Sequence, residues 1–346
     1  MDDFQTITPR LPAEWEPQDA ILLAWPHEQT DWLPILDQVT KVYVELVRQI
    51  SRFEKVVILA PNLNNVQKIL NNAEIDSSRF ILRQVETNDT WTRDFGPLTV
   101  FSQNQPLLLD FNFNGWGMKF PAEKDNQATS RLYDTGIFRR TLKASIDLVL
   151  EGGSIETDGY GTMLTTSECL LHPNRNPHMK KQSLESYLSR QLGIEHFLWL
   201  DHGWLAGDDT DSHIDTLARL CPNDTILYVH CDDPGDEHYS ALKLMEQQLQ
   251  KLKTQKGQPF QLIRLPWPQP CYDGDDRLPA TYANFLIINK AVLVPTYNDP
   301  ADILALKTVG KAFPDREIVG IDCRALIKQH GSLHCITMQL PQGVLS

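Results

Sequence analysis

Short unbroken apolar runs recur along the chain, each bounded by polar or turn residues. They are Ala20-Ile21-Leu22-Leu23-Ala24-Trp25, Val56-Val57-Ile58-Leu59, Leu107-Leu108-Leu109-Asp110, Thr225-Ile226-Leu227-Tyr228-Val229, Phe285-Leu286-Ile287-Ile288 and Val292-Leu293-Val294-Pro295. Runs this short, without a polar alternate face, predict strands that are largely buried. Between them lie amphipathic segments, notably residues 36–52 and 240–253, with apolar side chains three and four apart, the spacing of one helix face. Strand and helix patterns alternate from end to end, which predicts an α/β fold. No Gly/Ser linker or low-complexity tract divides residues 1–346, so a single domain is expected. The most loop-like stretch, Leu265-Pro266-Trp267-Pro268-Gln269-Pro270 followed by Asp273-Gly274-Asp275-Asp276, is expected to cover a site. A returning strand-and-helix unit is compatible with a cyclic α/β arrangement, although no sequence repeat is plain.

Charge narrows the partners. With 45 acidic against 32 basic side chains and a formal charge of -13, nucleic acid and anionic membrane surfaces are poor partners, whereas a small cation fits. No apolar run approaches eighteen residues, and Met1-Asp2-Asp3-Phe4-Gln5 is acidic rather than basic-then-apolar. A cytoplasmic protein without a membrane partner is therefore expected. The six cysteines, at 169, 221, 231, 271, 323 and 335, have neither the CxxC spacing of zinc sites nor the density of a disulfide scaffold.

Four segments carry more chemistry than packing needs. Trp91-Thr92-Arg93-Asp94-Phe95-Gly96-Pro97 sets an acid and a guanidinium between aromatics, although Arg93 and Asp94 could simply pair locally. Glu151-Gly152-Gly153 delivers an acid after the apolar Leu148-Val149-Leu150, where two glycines permit close backbone approach or merely a tight turn. In Asp208-Asp209-Thr210-Asp211-Ser212-His213-Ile214-Asp215, His213 and Asp215 share a face if the piece is extended. That run lacks the glycine and bidentate glutamate of a Ca²⁺ loop, and zinc shared by His213, His334 and Cys335 suffers from the adjacency of the last two. Finally, Cys335 in Leu333-His334-Cys335-Ile336 is either a small core group or a nucleophile whose base, His213, lies far off in sequence.

The set of motifs, in order, resembles the agmatine deiminase family, relatives of bacterial peptidylarginine deiminases among the guanidine-modifying enzymes. The matching stretches are Leu11-Pro12-Ala13-Glu14-Trp15-Glu16-Pro17 with Leu23-Ala24-Trp25-Pro26, Trp91 through Pro97, Glu151-Gly152-Gly153 with Gly159-Tyr160-Gly161-Thr162, Leu170-Leu171-His172-Pro173-Asn174-Arg175-Asn176-Pro177, His213-Ile214-Asp215, Tyr282-Ala283-Asn284-Phe285 and His334-Cys335-Ile336-Thr337. The resemblance implies a five-bladed pseudo-symmetric α/β propeller, the pentein fold, forming one catalytic deiminase domain. It implies Cys335 as nucleophile, His213 as general acid/base, Glu151 as its orienting carboxylate, and Asp94 with Asp215 as guanidinium holders. Trp91 is then a platform for the guanidinium or the alkyl chain, or else a core aromatic. Asp209, with Glu16 or Asp211, would face the far end of the substrate. The implied reaction converts agmatine to N-carbamoylputrescine and ammonia through a covalent thiouronium, feeding putrescine and polyamine biosynthesis. No metal or organic cofactor is expected, and a symmetric homo-oligomer is.

Two positions depart from the family pattern. Ser212 stands where glycine usually precedes the histidine, and Gln329-His330-Gly331-Ser332-Leu333-His334-Cys335 replaces Gly-Gly-Gly-Asn-Ile-His-Cys. Substrate preference is what these changes touch, so another guanidino compound remains open. Competing readings are a peptidyl-arginine deiminase or Cys-His protease, and a silent guanidinium-binding protein. A protease needs an oxyanion hole but not two carboxylates around its thiol, and a silent binder does not need Cys335 and His213.

Overall fold

The computed structural model describes residues 8–345, so the Met1–Gln5 stretch lies outside the described residues. The fold is mixed α/β. The apolar runs become strands Gln18–Ala24, Lys55–Ala60, Gln105–Asn112, Thr225–Val229, Leu286–Ile288 and Ala291–Thr296. The two amphipathic segments become helices Leu36–Ser51 and Tyr239–Leu249. The first of these buries Val39, Tyr43, Leu46, Val47 and Ile50 along one stripe; the other buries Leu242, Met245 and Leu249.

Five of the sheets share one plan: a strand pairs antiparallel with the next, which pairs parallel with a third across a helix. In the second sheet Leu98–Ser102 runs against Gln105–Asn112, which lies beside Leu142–Val149 after helix Ala128–Asp134. The same plan joins Ile155–Thr157, Thr162–Thr166 and His196–Leu200 across helix Lys181–Leu192. It joins Ala218–Cys221, Thr225–Val229 and Gln261–Leu265 across Tyr239–Leu249, and Leu286–Ile288, Ala291–Thr296 and Glu317–Asp322 across helix Asp302–Ala312. In the remaining sheet the antiparallel partner of Gln18–Ala24 is Met338–Pro341, from the far end of the chain. Strand Lys55–Ala60 lies parallel on its other side, and Phe80–Gln84 extends that edge. Central strands flanked on both sides and covered by helices bury both faces, which is why they read as continuous apolar runs.

The Pro-rich segment leads into a hairpin, Cys271–Asp273 with Asp276–Leu278. It does not line the cavity described below, contrary to the expectation that it covers a site. Its Trp267 packs instead on His238. Among the described residues, no helix is long and apolar enough to cross a membrane.

Candidate active site

Each of five chemically distinctive side chains stands a few residues ahead of the first strand of one of the five like sheets. Asp94 precedes Leu98–Ser102, Glu151 precedes Ile155–Thr157, Asp215 precedes Ala218–Cys221, Asn284 precedes Leu286–Ile288 and Cys335 precedes Met338–Pro341. Short helical turns, Thr92–Phe95, Gly152–Ser154 and Ile214–Thr216, present the first three. The 213–215 piece is therefore a turn and not the extended segment expected from spacing. His213 and Asp215 still meet around Gly153, where a Cβ would stand 2.6 Å from His213 Nδ1, 2.8 Å from Asp94 Oδ1 and 3.1 Å from Asp215 Oδ2. Only a glycine fits there.

Beside these side chains lies a cavity of about 160 Å³ whose lining includes Trp91, Asp94, Trp116, Asp209, His213 and Cys335. Cys335 is 6% exposed. Its Sγ accepts from Asn284 Nδ2 at 3.2 Å and lies 3.8 Å from Asp215 Oδ2. Asn284 Oδ1 accepts the backbone N–H of His334 at 2.9 Å, which fixes the amide with its nitrogen toward sulfur. Burial, then Asp215, then Asp94 push the Cys335 thiol well above its ordinary pKa.

Asp94 and Arg93 do not pair locally. Asp94 accepts from Trp116 Nε1 at 2.9 Å and from Gly153 N at 3.0 Å, while Arg93 turns to Gln339 at 2.6 Å. Burial pushes Asp94 up to about 6, against His213 and with Asp215. His213 Nδ1 lies 3.6 Å from Asp94 Oδ1. Burial opposes a charged imidazole, but Asp94, Cys169 and Glu151 outweigh it and hold His213 well above its usual pKa. Among the described residues, neither ring nitrogen of His213 has a hydrogen-bond partner, and Asp215 Oδ1 has none either. Buried polar atoms left unpaired in this way are unfavourable until a ligand or water satisfies them.

Glu151 is fully buried but does not hydrogen-bond His213. Arg175 Nε reaches both of its oxygens at 2.9 Å, and Cys169 Sγ lies 4.0 Å away. The Glu151 charge helps to raise the His213 pKa, with Cys169 beside both groups rather than a direct hydrogen bond between them. Trp91 packs on Trp32 with ring centroids 5.5 Å apart and also lines the cavity. Gly331 lies so close to the Trp91 ring that no Cβ could be added.

Asp209 lines the cavity with Asp31, Asp89 and Asp208. Burial pushes Asp209 up to about 6 and Asp89 up to about 7. The other two candidates for the far end are elsewhere. Glu16 pairs with Arg10, 2.8 Å from its Nη2, away from the cavity. Asp211 bridges Arg175 at 2.6 Å and Lys119 at 2.7 Å, because those cations compensate it where the cavity offers none.

Several residues escaped sequence reasoning. Two residues before Glu16, the buried Glu14 lies 2.7 Å from His334 Nε2 and 3.0 Å from Arg219 Nη2. Burial would raise its pKa, but His334, Arg219 and Arg93 hold it far below the carboxylate range. His334 Nδ1 in turn meets Asp215 Oδ2 at 2.7 Å, and Arg219 also grips Glu156. Trp116 takes a left-handed φ of 55° between Gly115 and Gly117, strain of roughly 1–3 kcal/mol; glycines on both sides of a tryptophan are the signal that could have found it. Of the residues that replace family glycines, Ser212 and His330 fall on left-handed backbone, with φ 62° and 65°, and Gln329 does not.

Two groups of three ligand-type side chains crowd closely among the described residues: Glu151 with Cys169 and His213, and Glu14 with Glu156 and His334. Each already holds an arginine, Arg175 and Arg219 respectively, so neither fits a metal ion well. In the 208–211 run, Asp208 accepts from Ser212 N at 2.7 Å and Asp211 faces its two cations, which does not fit a Ca²⁺ loop.

A family model described as Porphyromonas-type peptidyl-arginine deiminase matches residues 10–341. Agmatine deiminase of Pseudomonas aeruginosa is 32% identical over 96% of this chain and 95% of its own. A Porphyromonas gingivalis structure assigned provisionally to the arginine deiminases is 48% identical, with TM-score 0.92 over 97% of this chain and 99% of that one. A cysteine-to-serine variant of C. jejuni agmatine deiminase, solved with substrate bound, is 40% identical, with TM-score 0.91 over 99% of each chain.

Proposed function

Because the chain belongs to the Porphyromonas-type peptidyl-arginine deiminase family, we propose that it is an agmatine deiminase, converting agmatine and water to N-carbamoylputrescine and ammonia. The observation that carries this reading is a buried thiol 3.8 Å from Asp215 that shares with Asp94 a cavity whose lining residues include no lysine or arginine. A guanidinium is the ligand such a site can hold, by paired charge-assisted hydrogen bonds along its edges. The further carboxylates Asp31, Asp89, Asp208 and Asp209 suit an ammonium at the far end better than the carboxylate of arginine. A cavity of about 160 Å³ also suits a small molecule better than a peptide. The relatives' agmatine deiminase descriptions support the same substrate.

In the mechanism, the docking cation offsets Asp94 and Asp215, and the Cys335 proton leaves to solvent. The thiolate adds to the central carbon, forming a C–S bond, with Asn284 steadying the sulfur. His213, charged through Asp94 and Glu151, gives its proton to one terminal nitrogen as the C–N bond breaks and ammonia departs. A thiouronium remains on Cys335. Neutral His213 then takes a proton from water, whose oxygen attacks the same carbon; as the C–S bond breaks the remaining hydroxyl proton passes to the departing sulfur, restoring the thiol, and the ureido product leaves. The C. jejuni cysteine-to-serine variant with substrate bound agrees with a thiol-dependent reaction.

The five like sheets fit a five-bladed pseudo-symmetric α/β propeller forming one catalytic domain, its five blade ends supplying the five side chains. The product leads to putrescine and the polyamines, the setting is cytoplasmic, and the chain forms a symmetric homo-oligomer. The deciding experiment supplies purified protein separately with agmatine, arginine and an arginine peptide, beside a Cys335→Ala control. Ammonia from agmatine alone supports the reading; silence on all three overturns it. Release from the peptide would move the assignment to a peptidyl-arginine deiminase.

A further inference from the structure

His238 lies outside the cavity, yet its surroundings tie it to the cavity wall. It is 2% exposed and caps helix Tyr239–Leu249. Its ring sits between Trp204, centroids 4.7 Å apart, and Trp267, 5.2 Å apart. Nδ1 donates to Asp236 Oδ1 at 2.7 Å, and Nε2 accepts the backbone N–H of Ala206 at 2.7 Å. Both bonds hold only for a neutral imidazole protonated at Nδ1, since an imidazolium has no acceptor for Ala206. The ionisable groups facing it are Asp236 and Glu237 on its own segment and Arg277 on the hairpin. Residues 204–207 and 265–270 bring none. Burial, with Arg277, lowers the pKa of His238 against Asp236, which keeps it neutral. Asp236 is itself fixed by Arg277 Nη2 at 2.7 Å and Trp267 Nε1 at 3.1 Å.

Ala206 begins the segment that leads to His213. The next carbonyl, of Gly207, meets His330 Nδ1 at 2.8 Å, and the following two residues, Asp208 and Asp209, line the cavity. The segment is thus fastened from outside by His238 and from the cavity side by His330.

We propose that His238 is a positioning residue whose neutral ring fastens Ala206 and so sets Asp208 and Asp209 against the far end of the substrate. This rests on the deiminase reading for its kinetic consequence, though not for the latch itself. The test compares wild type with His238→Phe, which fills the space between the tryptophans without an acceptor, and His238→Gln, whose carbonyl can still accept. Amide exchange over residues 204–212 is followed by mass spectrometry. Ammonia release is measured with agmatine and with n-butylguanidine, which has no terminal amine.

His238→Phe should exchange faster over 204–212 and raise KM for agmatine about tenfold, with kcat changed less than about twofold. Its kinetics on n-butylguanidine should match wild type, and His238→Gln should restore both readouts. Unchanged exchange in His238→Phe overturns the latch. Equal losses on the two guanidines overturn the positioning role, since general damage would not spare the one without an amine. If wild type leaves agmatine untouched, the functional reading falls and the exchange comparison alone decides whether His238 holds the segment.

Discussion

Asp215 holds one carboxylate oxygen 3.8 Å from the Cys335 sulfur. At that distance an anion opposes thiolate formation, so the empty site should be unreactive and a bound cation should awaken it. Alkylation of Cys335 followed against pH, with and without a non-reactive guanidinium, should show the ligand moving the reactive limb to lower pH. Superimposable curves would remove substrate-assisted activation from the mechanism. Asp94→Asn and Asp215→Asn should each speed alkylation of the empty enzyme while abolishing turnover.

Cys335→Ala should release no ammonia yet still bind agmatine. Calorimetric titration separates this outcome from collapse of the site, in which binding would vanish as well.

Asn284→Ala removes the amide hydrogen bond to sulfur. A hydrogen bond to an ionised group contributes roughly 1.5–3 kcal/mol, so alkylation at neutral pH should slow by roughly ten- to a hundredfold. Agmatine affinity should change little, because Asp94 and Asp215 stay in place.

Asp94, with its pKa raised to about 6, is ionised above that pH and neutral below it. The guanidinium grip is thus present at neutral pH and fades as pH falls through about 6. A profile of kcat/KM, which reports the free enzyme, should fall on that acid side, and a flat profile down to pH 5 would contradict the role given to Asp94.

Arg219 is fully buried among Glu14, Glu156 and His334. Arg219→Met leaves those acids uncompensated and should cost about 3–5 kcal/mol of stability, read by denaturant titration. Ser212→Gly, by contrast, relieves a left-handed φ of 62° and should change stability by no more than about 1 kcal/mol, with activity kept.

The α/β alternation was legible because strands such as Gln18–Ala24 are buried on both faces and helices such as Leu36–Ser51 on one. Asp94, His213, Asp215 and Cys335 stood out as residue types that packing does not need, and the structure brings Asp94, His213 and Cys335 to one cavity with Asp215 beside the sulfur. Glu14 and Arg175 did not stand out, because their importance lies in partners far away in sequence: Glu14 meets His334 and Arg219, and Arg175 meets Glu151. Nor does alternation reveal that Glu16 faces outward while Glu14 faces in, since residues 11–17 form no regular element. Trp116 depended on a backbone turn that only its flanking glycines signal.

The pairing of Met338–Pro341 with Gln18–Ala24 joins segments from opposite ends of the described chain, Ile21 opposite Gln339 and Leu22 opposite Met338. Thr92 clamps both sides, its hydroxyl lying 3.1 Å from the Leu22 carbonyl and 2.9 Å from that of Ile336. Contacts so distant in sequence form against the largest loop-closure entropy and tend to come late in folding. Cys335 rides on that last join. A partly folded chain can therefore assemble Asp94 and His213 before Cys335 is in place, and on the proposed mechanism no turnover is expected until the two ends have met.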